Sequence, residues 1–161
     1  MKNEIKKRVE VSVGIIENDK NEILICKRNK KGDHLYGLFE FPGGKIEKDE
    51  TPIDCLIREL YEEVDIILST STTSTATATT TPSPSNLSNH NSMIKLIEIV
   101  EFEFKEIICN IHFFKVNLQQ NIKPKPKENQ PMFWIKKTEL NYLQFPEPNK
   151  DIIQLLNQNK I

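Results

Sequence analysis

Glycine is scarce in this chain, five in 161 residues, so a place where two stand together marks close backbone approach or a forced turn. Cysteine is scarcer still. Cys26, Cys55 and Cys109 are odd in number and show no Cys-x-x-Cys spacing, which argues against a disulfide framework or a zinc site and fits a reducing compartment. Charge of one sign is also missing. A net charge of −1 supplies no basic field, so sequence-independent binding to duplex nucleic acid is set aside. No run of about 18 apolar residues exists from which to read a membrane span. The opening MKNEIKKRVE has no apolar centre and contains acids, unlike a signal peptide. The expectation is a cytoplasmic, monomeric protein with no membrane partner. Its 161 residues suffice for a single domain over 1–161 with a proper core.

Low complexity is present instead. Residues 69–92 contain 15 Ser or Thr in 24 positions, too little apolar surface to offset ordering entropy, and read as a disordered insert. Around it the chain alternates cleanly. Val9, Val11, Val13 and Ile15 mark a half-buried strand, the turn Asn18-Asp19-Lys20-Asn21 leads to a second over 22–28, and strand character returns over 94–104, 107–118 and 132–135. Lys123, Lys125 and Lys127, between Pro124 and Pro126, form either a solvated loop or an attractor for polyphosphate. Asn149 is placed to cap a last helix whose apolar side is Ile152, Ile153, Leu155 and Leu156. Strands, one central helix, more strands and a terminal helix predict an α+β domain with a mixed sheet between two helices.

The central helix carries the chemistry. Thr51 suits its cap, Pro52 its first position and Asp54 a reciprocal partner for the cap. Ile53, Leu56, Ile57, Leu60 and Val64 recur at three- and four-residue spacing and form one apolar stripe. At about 100° per residue, Glu59, Glu62 and Glu63 fall within about 100° of one another, centred about 120° from that stripe. Like charges so placed repel by a few tenths of a kcal/mol per pair, ~0.2–0.5, unless a cation joins them. Hard divalent cations prefer clustered carboxylate oxygens. The Gly43-Gly44 pair just before the helix lets a backbone carbonyl approach the same point.

The whole stretch, GGKIEKDETPIDCLIRELYEEVDI from Gly43 to Ile66, resembles the Nudix box, the motif of the Nudix hydrolase family. Gly44, Glu50, Arg58, Glu59, Glu62 and Glu63 stand at the motif's intervals. The one departure is Asp65, where the family carries glycine to stop the helix in the left-handed conformation. Beyond the box, VGII at 13–16, EFPGGKIE at 40–47, KENQP at 127–131 and FPEPN at 145–149 are similar to MutT-type 8-oxo-dGTP diphosphatases, in the same order.

The resemblance implies an α/β/α sandwich of Nudix type and metal-dependent hydrolysis of an oxidised purine nucleoside triphosphate, with Mg2+, or Mn2+ in its place, as cofactor. It implies Glu59, Glu50 and Arg58 as catalytic residues, and Gly43, Glu59, Glu62, Glu63 and Glu128 as metal ligands. Arg28, His34, Glu40, Phe41, Pro42 and Gly43 would contact the nucleotide, with Asn149 reading the base. The residues alone leave alternatives open. Arg58 can be an ordinary helix salt bridge to Glu62, Asn149 only a cap, Phe41 a core ring and His34 an exposed loop residue. The general base stays open among Glu50, Glu59 and Glu128. Because the box carries the chemistry and the rest selects the substrate, a pyrimidine triphosphate, a dinucleoside polyphosphate and a silent binding module remain competing readings.

Overall fold

The computed structural model describes residues 6–68, 93–118, 122–127 and 130–161. The predicted insert over 69–92 and Glu128 lie outside the described residues.

The first strand, β1 (Lys7–Glu17), is more deeply buried than its alternation predicts: Ser12 through Ile16 are covered on both faces. Val13 and Ile15 enter one apolar cluster, Ile16 the other. The small residues between them have a separate use. A side chain at Gly14 would meet Leu56 Cδ1 at 3.1 Å and Leu60 Cδ2 at 3.4 Å, so its absence lets the central helix settle onto the strand. Ser12, fully buried, donates its hydroxyl to the Pro52 carbonyl at 2.6 Å, which removes the cost of an unpaired polar group.

Along β1 lie β2 (Glu22–Lys27) and β4 (Gly43–Lys45), both antiparallel to it, while β6 (Ile107–Asn117) runs parallel on the other side. The short β3 (Phe39–Glu40) and β7 (Met132–Lys136) pair with β2, and β5 (Ile94–Glu103) pairs with β6. The path β3-β2-β1-β6-β5 is therefore a mixed sheet, as expected.

Helix α1 (Pro52–Val64) covers one face, with Leu56, Leu60 and Val64 packed on Ile16, Leu24, Cys26, Phe114 and Val116. Helix α2 (Lys150–Asn157) covers the other, with Ile152, Ile153 and Leu156 on Ile23, Ile25, Ile111 and Phe113. Each such aliphatic side chain contributes about 1.5–3 kcal/mol when fully buried. The predicted stripe of α1 needs one correction. Ile53 is 45% exposed, because the first turn projects past the sheet, and the fully buried Cys55 closes the contact with β4 instead.

At the start of α1, the Thr51 oxygen accepts from the Asp54 amide at 3.2 Å, while its hydroxyl donates to Asp54 Oδ2 at 2.6 Å. At the other end Asp65 adopts the left-handed conformation, φ 56°, in place of the family's glycine. The Ile66 amide returns to the Leu60 carbonyl at 3.0 Å. The amides of Lys125 and Lys127 take up the Val64 and Glu63 carbonyls at 2.8 and 2.9 Å. Lys127 then lays its ammonium 3.6 Å from the Tyr61 ring centre and 3.4 Å from Asp65 Oδ1. Among the described residues no helix is long and apolar enough to cross a membrane.

Candidate active site

The Gly43-Gly44 pair meets α1 at a distance only glycine permits. Gly43 has φ 152°, and a Cβ there would lie 2.2 Å from the Ser12 carbonyl oxygen of the neighbouring strand. A Cβ on Gly44 would lie 2.1 Å from Glu59 Oε1. The register Ser12↔Gly44 and Val13↔Gly43 fixes this segment beside the helix. The Gly43 amide donates to Glu63 Oε2 at 2.9 Å, so strand and helix are joined through the carboxylate face itself.

Arg58 organises the rest. It donates to both oxygens of Glu50, from Nε at 2.8 Å and Nη2 at 2.9 Å, to Glu59 Oε1 at 2.7 Å, to Glu62 Oε2 at 3.1 Å and to the Lys45 carbonyl at 3.2 Å. The ion pair to Glu62 is the one the helix spacing suggested; the two-toothed bond to Glu50 comes from the preceding loop and is the stronger geometry. Hydrogen bonding from Arg58 brings the Glu50 carboxyl from 4.5 down to about 2. The same bonds hold the guanidinium well above its ordinary value, the Glu50 bond first. Glu50 also accepts from the Glu47 amide at 2.9 Å. A carboxylate so acidic and so fully bonded is better suited to holding Arg58 than to taking a proton. Cys55, raised to about 12 by burial and then by Glu50, reaches the Gly44 carbonyl at 3.6 Å as a packed thiol.

A second polar group sits on the same face. Cys26 of β2 stands opposite Glu40 of β3, and its thiol is pushed up to about 12 by burial, then by Glu63 and Glu40. Glu40 accepts from Arg28 Nη1 at 2.7 Å and from Gln130 Nε2 at 3.2 Å. Arg28 donates from Nε to Asp33 Oδ2 at 3.0 Å. Burial opposes the charge of Arg28, yet Glu40 and then Asp33 outweigh it and raise its pKa. Asp33 and Gln130 were not singled out from sequence, although Gln130 lies in the KENQP stretch.

The remaining predicted residues lie elsewhere. Phe41, one position past Glu40, faces α2, 4% exposed and stacked on Phe145 with centroids 5.2 Å apart. Pro42 accepts from the Gly14 amide at 2.8 Å. Asn149 stands directly before α2 and is 9% exposed, but its side chain makes no capping bond to that helix. The His34 side chain is 74% exposed, 3.3 Å from Asp33 and edge-on to Phe104 at 6.2 Å. Glu59, Glu62, Glu63, Gly43, Glu50 and Arg58 thus come together around β4 and α1, Arg28 and Glu40 lie beside them, and Phe41 and Asn149 lie across the sheet.

The donor set suits a hard cation: three carboxylates one helical turn apart and a glycine backbone beside them. Among the described residues, however, no three Asp, Glu, His or Cys side chains converge in metal-ligand geometry. Arg58 bonds Glu59 and Glu62, and the Gly43 amide bonds Glu63. A bound cation would compete with those bonds for the same oxygens.

Comparison with known proteins places the chain among known families. The NUDIX domain model matches residues 6–156. The chain is 34% identical over 152 residues to the 8-oxo-dGTP diphosphatase of Escherichia coli K12, covering 94% of this chain and 98% of that one. It is 32% identical over 154 residues to the protein of the same name from Haemophilus influenzae, covering 95% of each. Among solved structures, one from a study of MutT from Aliivibrio salmonicida and Vibrio cholerae superposes with a TM-score of 0.63 at 25% identity, over 92% of this chain and 94% of that one. The fold is the Nudix fold, and the chain belongs to the Nudix hydrolase family.

Proposed function

We propose that this Nudix hydrolase cleaves oxidised purine nucleoside triphosphates, 8-oxo-dGTP to 8-oxo-dGMP and pyrophosphate, and so clears damaged precursors from the nucleotide pool. The observation that carries the base assignment is Asn149: an amide nine-tenths buried, at a helix entrance, with no capping bond there. Its donor and acceptor suit a guanine edge. Oxidation at C8 turns N7 from an acceptor into a donor, and a pocket offering an acceptor there leaves normal guanine with an unpaired polar group, at about 1–3 kcal/mol. The near full-length likeness to two 8-oxo-dGTP diphosphatases supports the same reading.

In this reading Glu59, Glu62, Glu63 and the Gly43 carbonyl hold divalent cations, with Glu128 adding a carboxylate. The cation is Mg2+, with Mn2+ as a substitute. When bound, such ions neutralise phosphate charge and lower the pKa of an attacking water. Arg58 keeps Glu59 turned toward the Gly43-Gly44 backbone, and Glu50 keeps Arg58 in place. Glu59 is then the carboxylate within reach of the water's proton. Arg28, oriented by Glu40 and Asp33, contacts the nucleotide together with the exposed His34, and Phe41, Pro42 and Gly43 complete the nucleotide contacts in this reading. Action as a monomer is part of this reading, which a sizing measurement on the purified protein checks. Three free cysteines, all buried, support a cytoplasmic setting.

A panel of purine, oxidised purine and pyrimidine triphosphates and a dinucleoside polyphosphate, assayed with Mg2+ and then Mn2+, separates this reading from another Nudix substrate. Fastest turnover of the oxidised purine supports it. Preference for a pyrimidine triphosphate or a dinucleoside polyphosphate contradicts it, and no turnover with either metal favours the silent binding module.

A further inference from the structure

Gln130 has one half of its amide engaged and the other half orphaned. Its Nε2 donates to Glu40 Oε1 at 3.2 Å, while its Oε1 is buried with no hydrogen-bond partner. The orientation is dictated by chemistry. Glu40 accepts from Arg28 at 2.7 Å on one oxygen, and its other oxygen accepts from the Gln130 nitrogen, so the amide turns its own oxygen away. A buried acceptor left without a donor is costly, and a bound ligand is one source of that donor.

The position says which donor. Three residues earlier the Lys127 amide is bonded to the Glu63 carbonyl on the carboxylate helix, and one residue later the Pro131 carbonyl is bonded to the Lys27 amide of β2. Gln130 is therefore strung between the carboxylate face, where the phosphates would lie, and the Arg28–Glu40 pair. Asn149, the base reader in the proposed function, stands at the entrance to α2, whose apolar side packs on the other face of the sheet. What lies between phosphate and base in a nucleotide is the sugar, and the only hydrogen-bond donor on a deoxyribose is its 3′-hydroxyl.

We infer that Gln130 Oε1 accepts a hydrogen bond from the substrate's 3′-hydroxyl, which makes Gln130 a specificity-determining residue for the sugar. The inference rests on the nucleotide reading above but not on the identity of the base, since every deoxynucleoside triphosphate carries the same hydroxyl. The arrangement also gives Glu40 a role: it fixes Gln130 on one oxygen and Arg28 on the other, and so sets where the sugar acceptor points.

The test compares kcat/KM for a 2′-deoxynucleoside triphosphate and its 2′,3′-dideoxy analogue, in the native enzyme and in Gln130→Met, using whichever base is turned over fastest. The native enzyme is expected to prefer the hydroxyl-bearing substrate by about 5- to 150-fold, the range for one buried hydrogen bond. Gln130→Met is expected to bring that ratio close to one, chiefly by slowing the hydroxyl-bearing substrate. Gln130→Ser, smaller and with an acceptor too short to reach, gives the same reading if the Met variant folds poorly. A native enzyme indifferent to the hydroxyl overturns the inference. So does a variant that slows both substrates equally, which would mark Gln130 as a support for Glu40 alone. An oxidised-guanine preference that fails while the hydroxyl ratio behaves as described would overturn the base assignment and leave this inference standing.

Discussion

At the scale of single residues, the site is a contest for carboxylate oxygens. Arg58, the Gly43 amide and any bound cation draw on Glu59, Glu62 and Glu63, and the outcome decides whether the face is a salt-bridge network or a metal centre. Glu59→Gln or Glu63→Gln should lower turnover by at least about a hundredfold, because a ligand or a proton acceptor is lost. The fold should hardly change, since no apolar contact is removed; melting midpoints on the same preparations check this. Gly44→Ala probes the same carboxylate from the backbone side. The new methyl would meet Glu59 Oε1 at 2.1 Å, and the far end of a flexible side chain can move aside. Stability should stay within about 1 kcal/mol while turnover falls about 10- to 100-fold through misplacement. Retained turnover would show that the position of Glu59 does not matter. The motif residues were legible in the sequence because their spacing is rigid and their chemistry narrow. The Glu50–Arg58 bond was not, since it joins a loop to a helix eight residues on, and no helical periodicity predicts that contact. Gln130 was hidden because its partner Glu40 is brought near only by the folded sheet, and Asp33 because its contact to Arg28, five residues back, follows loop geometry that no periodicity reports.

At the scale of elements, α1 is held at both ends by side chains with a second function. Asp65 stops the helix in a conformation that costs most residues about 1–2 kcal/mol but costs Asp less, and it pairs with Lys127 besides. Asp65→Ala should therefore lose about 1–2 kcal/mol in a denaturant melt, while Asp65→Gly, conformationally free, should stay within about 0.5 kcal/mol of the native chain. Equal losses in both variants would assign the whole effect to the ion pair. At the other end the Glu50–Arg58 bond makes the helix entrance acid-sensitive. The Glu50 pKa is about 2 in the folded chain against an ordinary 4.5. A depressed folded pKa stabilises at high pH, so this contribution is complete above about 4.5 and lost as pH falls toward 2. The stability gap between the native chain and Glu50→Gln should be constant near neutrality and shrink through that window. A gap independent of pH would show that the bond is not formed as an ion pair. The five longer strands and both helices followed from alternation and helical spacing to within a residue or two, whereas the short β3 and β4 were not read as strands. The depth of burial did not follow, because period two on β1 reports one apolar face, and only the second helix covers the other.

At the scale of the whole molecule, the two helices cover opposite faces of one mixed sheet. The α1 face carries the carboxylates, Arg28 and Glu40, and Asn149 lies at the entrance to α2 on the opposite face. The mixed sheet and its two helices could be anticipated from element order. The way Glu40 turns to Arg28 and Gln130 while the next residue, Phe41, joins the α2 cluster could not. The measurement that bears most directly on the proposal is steady-state hydrolysis of 8-oxo-dGTP against dGTP with Mg2+, with products identified, in the native enzyme and in Asn149→Ala. The account predicts 8-oxo-dGMP and pyrophosphate as products and a higher kcat/KM for the oxidised nucleotide. It also predicts that Asn149→Ala shrinks that advantage by about 5- to 150-fold, with much smaller loss of turnover at saturation. Equal kcat/KM for the two nucleotides in the native enzyme, or an advantage untouched by the loss of Asn149, would contradict it.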